Sequence, residues 1–291
     1  MNRRQWTVVA VVATVIAISL AGLIYLVARG RPTEPAAQAP TSTGSGTAPP
    51  VTASPSPTAS PSPSPSPSAS PGSSRPPAAP FPPALAGQDL TVLPTTDKKV
   101  ALTFDGGAGA QGLDPILRTL ADEGIHATFF LTGEFARANP DAVRRIVLAG
   151  HTLGQHSMTH PHFTQLSDEQ IRAELASAER AIGAAGGDPH PWFRFPYGDR
   201  DDRCVHLVNT AGYVPVRWTV DSLGWKGTSG GVTEDAIRKR VMDALRPGEI
   251  VLMHLGANPD DGSTLDATAL PRVIEALKKA GYGFTTPDAY L

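Results

Sequence analysis

The sequence predicts an α/β domain on a parallel sheet, open or closed into a barrel, carried behind a membrane-spanning helix and a Pro/Ser-rich linker. Three observations predict it. From Lys99 onward, short apolar, β-branched runs alternate with helical patterns in βαβα order. Residues 7–28 form a run of 22 without charge, and residues 32–83 hold 17 of the 29 prolines with only Glu34 and Arg75 charged. The expected organisation is therefore an N-terminal tip and anchor at 1–31, a disordered linker at 32–83 and one folded domain at 84–291.

Taken in order, Thr7 to Ala28 is dominated by Val, Ile, Leu and Ala. As a helix it spans about 33 Å, enough to cross a hydrocarbon layer of about 30 Å. Trp6 and Tyr25 sit near its ends as interfacial anchors, and Arg3 and Arg4 favour an N-terminus inside, a bias that Arg29 and Arg31 weaken. The run is longer than the h-region of a cleaved signal peptide, so an uncleaved signal anchor is expected; Ala37-Gln38-Ala39 keeps cleavage and secretion open. Ser54 to Pro71 is largely Ser-Pro alternation, which buries nothing and favours an extended stalk. Anchor and stalk together place the folded domain outside the cytoplasm, against a single-pass membrane segment.

In the folded part, Val100 to Phe104 reads as a buried strand, Leu113 to Glu123 as a helix and Ala127 to Thr132 as a strand. Pro140 to Ala149 reads as a helix with Asn139 capping it and proline at its first position. Ser167 to Gln170 forms a capping box, followed by the apolar stripe Ile171, Leu175, Ala178 and Ile182 and a stop at Gly186-Gly187. Strands are expected at Trp192–Phe195, Val214–Val220, Ile250–His254 and Phe284–Thr286, and helices at about Asp202–Ala211, Glu234–Leu245 and Ala267–Ala280. In such a sheet, chemistry belongs at the C-terminal strand ends.

Composition narrows the function. Residues 1–83 carry five Arg against one Glu, which leaves the folded part with 20 basic and 26 acidic residues and no basic footprint for nucleic acid. Gly106-Gly107-Ala108-Gly109 lacks both the P-loop lysine and the dinucleotide spacing, so no nucleotide is expected. Cys204 is the single cysteine, which excludes an intrachain disulfide and a multi-Cys zinc site and leaves His and carboxylate as metal ligands.

The polar residues that stand out fall at successive strand ends: Thr103-Phe104-Asp105-Gly106-Gly107, His156-Ser157-Met158-Thr159-His160, Arg194-Phe195-Pro196-Tyr197-Gly198, Asp221-Ser222-Leu223-Gly224-Trp225 and Leu252-Met253-His254. Each alone is a weak signal, since Asp105 could be a turn residue and His254 a core histidine. Their shared position is the stronger one.

These five segments, in this order, resemble the NodB homology domain of the polysaccharide deacetylases, carbohydrate esterase family 4, from about Lys99 to Leu291. The resemblance implies a distorted, incomplete (β/α) barrel and metal-dependent hydrolysis of an N-acetyl or O-acetyl group on a glycan. By motif it implies Asp105 as catalytic base, His156 and His160 as ligands of a divalent metal, usually Zn2+, and Arg194 as the residue that orients the base. It further implies the Tyr197 backbone N–H as oxyanion donor, Asp221 as the carboxylate tuning the histidine, and His254 as general acid. Trp225, Tyr197 and Leu252 would line the substrate groove.

Two positions depart from the pattern. Gly106 stands where the family typically has a second Asp as third metal ligand, and Asp199 and Asp114 are the candidates to replace it. Gly224 stands where an Asp commonly precedes the tryptophan. Two readings therefore stay open: a membrane-anchored deacetylase of wall glycan, most simply peptidoglycan, and a catalytically silent glycan-binding scaffold.

Overall fold

The computed structural model describes residues 81, 83–107 and 109–291. The expected anchor at 7–28, the cleavage site at 37–39 and nearly all of the linker lie outside the described residues. Among the described residues, no helix is long and apolar enough to cross a membrane.

The strands are β1 Lys99–Gly106, β2 Thr128–Leu131, β3 Thr152–Gln155, β4 Trp192–Phe193, β5 Val214–Pro215, β6 Val220–Asp221, β7 Glu249–His254 and β8 Gly283–Thr285. The helices are α1 Leu113–Glu123, α2 Gly133–Ala138, α3 Pro140–Leu148, α4 Asp168–Ala184, α5 Asp202–Thr210, α6 Glu234–Asp243 and α7 Leu265–Lys279. The sheet is parallel in the order β5-β4-β3-β2-β1-β7-β6, and β8 pairs with the start of β1, before β2 begins at Thr103. It is a curled half-barrel: its two edge strands, β5 and β6, follow one another in sequence.

Alternation along the strands sorts the core into two layers. Val100, Leu102 and Phe104 of β1, Phe129 and Leu131 of β2, and Val251 and Met253 of β7 face outward and pack under the helices. Ala101, Phe130, Trp192, Val214 and Ile250 face inward, where Leu85, Leu90 and Leu93 fill the barrel from the N-terminal side. Asp105 and His254 continue the inward parity of Ala101 and Ile250 to the strand ends. The sheet itself therefore aims them at one site.

Three expectations need correction. Val214–Val220 is two short strands on opposite sheet edges: Val216 N–H bonds Phe193 O while Thr219 N–H bonds Ile250 O. Pro215 lacks an N–H, and the carbonyls of Val216 and Arg217 are taken by the Arg194 side chain, so no continuous ladder can form there. Helix α2 was not expected; Thr132, read as the end of a strand, caps it by accepting from Phe135 N–H at 2.9 Å. Asn139 occupies the N-cap position of α3, but its side chain makes no cap bond and donates back to Phe135 O. By contrast, the Ser167–Gln170 capping box forms at the start of α4 as expected.

Candidate active site

Asp105, one residue before the end of β1, is almost fully buried, and Arg194, wholly buried after β4, donates to its Oδ1 at 2.7 Å. The guanidinium also donates to Val216 O and Arg217 O at 3.0 and 2.8 Å and lies 4.0 Å over the Phe130 ring. Every branch of the fork is held, so it cannot swing away from the carboxylate. Burial pushes the Asp105 pKa up, but Arg194, with His156 and His254, outweighs it and holds the carboxyl below its usual range.

His156, after β3, donates through Nδ1 to the Arg194 backbone carbonyl at 2.7 Å, since a carbonyl can only accept. That fixes the tautomer and leaves Nε2 bare, 3.3 Å from Asp105 Oδ2. Burial lowers the His156 pKa despite Asp105, and the His160 pKa falls to about 4, chiefly by burial and then by the neighbouring His156. Both imidazoles are therefore neutral electron-pair donors at neutral pH. Their loop is held in shape from α4: Glu174 accepts the Met158 and Thr159 N–H groups at 2.8 and 2.9 Å, and Ser157 and His160 both take left-handed φ.

Asp105, His156, His160, Tyr197, Asp221, Trp225, Leu252 and His254 all line one pocket of about 390 Å³. All eight belong to the five strand-end segments. Arg194 lies beneath the pocket and acts on it through Asp105. Tyr197 has φ 59°, its ring stacks 4.1 Å from His162 and meets His160 edge-on at 4.5 Å. Its backbone N–H has no acceptor among the described residues and is free to serve an incoming oxygen. Gly107 also lines the pocket from the first strand-end segment, and Trp218 lines it from outside all five, in the crossing between β5 and β6 where a single strand is expected.

Asp221 raises the His254 pKa as expected, but from a distance and behind Asp266 and Asp105. Its Oδ1 accepts Leu223 N–H at 2.8 Å and its Oδ2 accepts the Trp225 indole N–H at 3.3 Å, so it shapes the left-handed turn at Leu223 and orients the tryptophan. The carboxylate in contact with His254 is Asp266 of α7, whose Oδ2 accepts the His254 backbone N–H at 2.8 Å and faces Nδ1 at 3.3 Å. Burial depresses the His254 pKa, but Asp266 first, then Asp105 and Asp221, together raise it above the ordinary value. Asp266 follows His254 by twelve residues and belongs to no strand-end motif, so nothing in the sequence marked it.

The two candidates for a third ligand do not reach the site. Asp114 pairs with Arg145 at 2.7 Å on the outer helices. Asp199 accepts from the Thr164 hydroxyl at 2.7 Å and faces His162 at 3.4 Å on the rim. At Gly106 a Cβ would lie 2.7 Å from Leu131 Cδ2 and 3.1 Å from Leu255 Cδ1, so this position points outward into apolar side chains. Among the described residues, no group of three or more His, Cys, Asp or Glu is arranged to hold a metal ion. Two donors nonetheless fit a cation. The bare Nε2 of His156 beside an ionised Asp105 is an unfavourable contact that a positive ion would relieve, and the neutral His160 ring meets the His156 ring edge-on at 4.7 Å.

Comparison with known proteins matches residues 93–216 to the family described as Polysaccharide deacetylase. A peptidoglycan-N-acetylglucosamine deacetylase of Bacillus cereus is 31% identical over 193 residues, 66% of this chain and 68% of that protein. A chitooligosaccharide deacetylase of Sinorhizobium fredii is 35% identical over 191 residues, 63% of this chain and 87% of that protein. Among solved structures, a mutant of a CE4 family pseudoenzyme from Bacillus anthracis, with restored enzymatic activity, superposes with a TM-score of 0.62 at 33% identity. That match covers 69% of this chain and 70% of the other. The chain belongs to the polysaccharide deacetylases of carbohydrate esterase family 4, hydrolases of carbon–nitrogen bonds other than peptide bonds.

Proposed function

We propose that the protein removes N-acetyl groups from the amino sugars of a wall glycan, with peptidoglycan as the first substrate to test, releasing acetate and leaving a free amine. One observation carries this reading. Asp105 and His254 are register partners on adjacent strands, both face the pocket, and their surroundings push their pKa values apart, down for the carboxylate and up for the imidazole. That is an acid and a base held for one reaction.

In this reading Asp105, kept ionised by Arg194, takes the proton of the attacking water. The carbonyl becomes a tetrahedral oxyanion, to which the Tyr197 N–H donates; one such donor is worth about 3 kcal/mol in acyl transfer. His254, charged beside Asp266, gives its proton to the nitrogen as the C–N bond breaks, because an amine anion is too poor a leaving group. Trp225 and Tyr197, both exposed at the rim, offer apolar faces to sugar rings, and Leu252 forms the floor. His156 and His160 would hold a divalent cation, zinc being the simplest; when bound it polarises the acetyl carbonyl and acidifies the attacking water. The N-terminal segment, read as a single-pass anchor with a stalk, would hold this domain on the outer side of the membrane beside its polymer. Protease accessibility of the domain on intact cells tests that placement.

The deciding experiment measures acetate release from an N-acetylated peptidoglycan fragment by the full chain, with added zinc and with chelator. Metal-dependent release that Asp105→Asn abolishes establishes the activity. Binding of the fragment without release, with any divalent metal, assigns the protein as a silent glycan-binding scaffold; the structural neighbours include a CE4 family pseudoenzyme from Bacillus anthracis.

A further inference from the structure

We propose that Asp266 is the positioning residue of His254 and that Gly224 exists to make room for it, so that α7 and the loop after β6 form one coupled device behind the general acid. This rests on the deacetylase reading.

The geometry is specific. A single oxygen, Asp266 Oδ2, receives the His254 backbone N–H at 2.8 Å and faces the ring Nδ1 at 3.3 Å, so it holds both the main chain and the ring of the same residue. The ring is thereby turned with Nε2 towards the pocket. An acidic residue in the first turn of a helix has an ordinary explanation in the helix dipole. That does not explain where this carboxylate points, because its Oδ2 is spent on the His254 N–H and Thr264, at the N-cap of α7, makes no side-chain cap bond.

Burial adds to this. Asp266 is 3% exposed, and its Oδ1 has no hydrogen-bond partner among the described residues. Leaving a buried carboxylate oxygen unpaired costs stability, so the residue is poorly explained as a stabilising one.

Gly224 supplies the second, independent observation. A Cβ there would lie 2.2 Å from Asp266 Oδ1 and 2.4 Å from its Cγ, where no side chain can stand. Gly224 is not among the residues with positive φ, so its backbone does not call for glycine. The carboxylate does. Asp221, the nearest alternative, is committed to Leu223 and Trp225.

The chemical consequence is a fixed tautomer. With Nδ1–H donated to Asp266, the proton that leaves for the substrate nitrogen must sit on Nε2, and the neutral ring left behind is the Nδ1–H form.

The test uses the full chain carrying Asp266→Asn, Gly224→Ala, or both. Acetate release gives kcat and KM, and 15N spectra of histidine-labelled protein give the His254 tautomer. Asp266→Asn lowers kcat about 100-fold with KM within about threefold, and moves the resting tautomer away from Nδ1–H. Gly224→Ala, which leaves the carboxylate in the chain but displaces it, does the same, and serves if Asp266→Asn does not fold. The double variant is no worse than about threefold below the weaker single one, because both act through one contact. Unchanged kcat together with an unchanged tautomer in Asp266→Asn overturns the proposal, and additive losses in the double variant overturn the role of Gly224. If the wild-type chain releases no acetate, the deacetylase reading fails by itself, and the tautomer spectra still decide whether Asp266 sets the ring.

Discussion

Replacing Gly106 by aspartate would restore a third ligand on paper, and the structure predicts that the single change will not. The new Cβ would stand 2.7 Å from Leu131 Cδ2, 3.1 Å from Leu255 Cδ1 and 3.3 Å from Phe135 Cδ2, all in the outer core layer. Overpacking of this kind costs about 1–3 kcal/mol. A carboxylate set among three apolar side chains adds a desolvation cost of a further few kcal/mol, or is neutralised and ceases to be a ligand. Taking about 3 kcal/mol in all, a domain of this size should lose roughly 6–12 °C in Tm. Leu131→Ala added to Gly106→Asp opens the nearest contact; relative to the sum of the two single losses it should recover about 1–2 kcal/mol and let zinc bind more tightly. Thermal unfolding and zinc calorimetry on the wild type, both single variants and the double one give the comparison. A Gly106→Asp protein as stable as the wild type and already binding zinc more tightly would refute the argument from side-chain direction.

Other outcomes follow from the same geometry. Arg194→Met leaves Asp105 charged, buried and unpaired and should cost about 3–5 kcal/mol in denaturant unfolding, part of which Asp105→Asn recovers in the double variant. Trp225→Ala should raise KM for a glycan fragment by about 2–10-fold with little change in Tm, since the ring is half-exposed. Glu249 is fully buried at the start of β7, and burial, offset only in part by a backbone hydrogen bond from Arg246, raises its pKa from 4.5 to about 7. The unfolded chain therefore releases this proton first, and stability should fall by about 3 kcal/mol as pH rises from 4.5 through 7. Glu249→Gln should flatten that fall in urea titrations; parallel curves for the two proteins would sink the assignment.

The long, strongly periodic elements could be read from the chain because each carries its signal locally. The α4 capping box needs only Ser167 and Gln170, and the buried run of β1 needs only its own five apolar or β-branched positions. What escaped depended on partners distant in sequence. The split of β5 from β6 follows from Arg194 taking two carbonyls more than twenty residues away, and a pattern of alternating residues cannot show that its acceptors are occupied. Helix α2 has six residues, too short for an apolar period, and its cap reads equally well as the last residue of a strand. Asp266 was invisible for a related reason: a helix start is where acids are expected, and only the fold turns this one back towards His254.

The division of labour at the site follows from which residues the sheet holds and which the loops hold. Asp105 and His254 are paired across β1 and β7, and Leu255 N–H closes the ladder on Asp105 O at 3.0 Å, so the spacing of carboxylate and imidazole is set by backbone pairing. Gly106, one residue further, falls on the opposite parity and is turned into the outer core, which is why its neighbour faces the pocket while it offers the site nothing. His160 and Tyr197 instead stand on left-handed loop residues, held by Glu174 and by contact with His162. Changes in those loops can alter the shape of the groove and the placing of the His160 imidazole while Asp105 and His254 stay in register. A silent protein and an active one can thus share this sheet, its base and its acid, and differ only in what the loops and position 106 present to a cation.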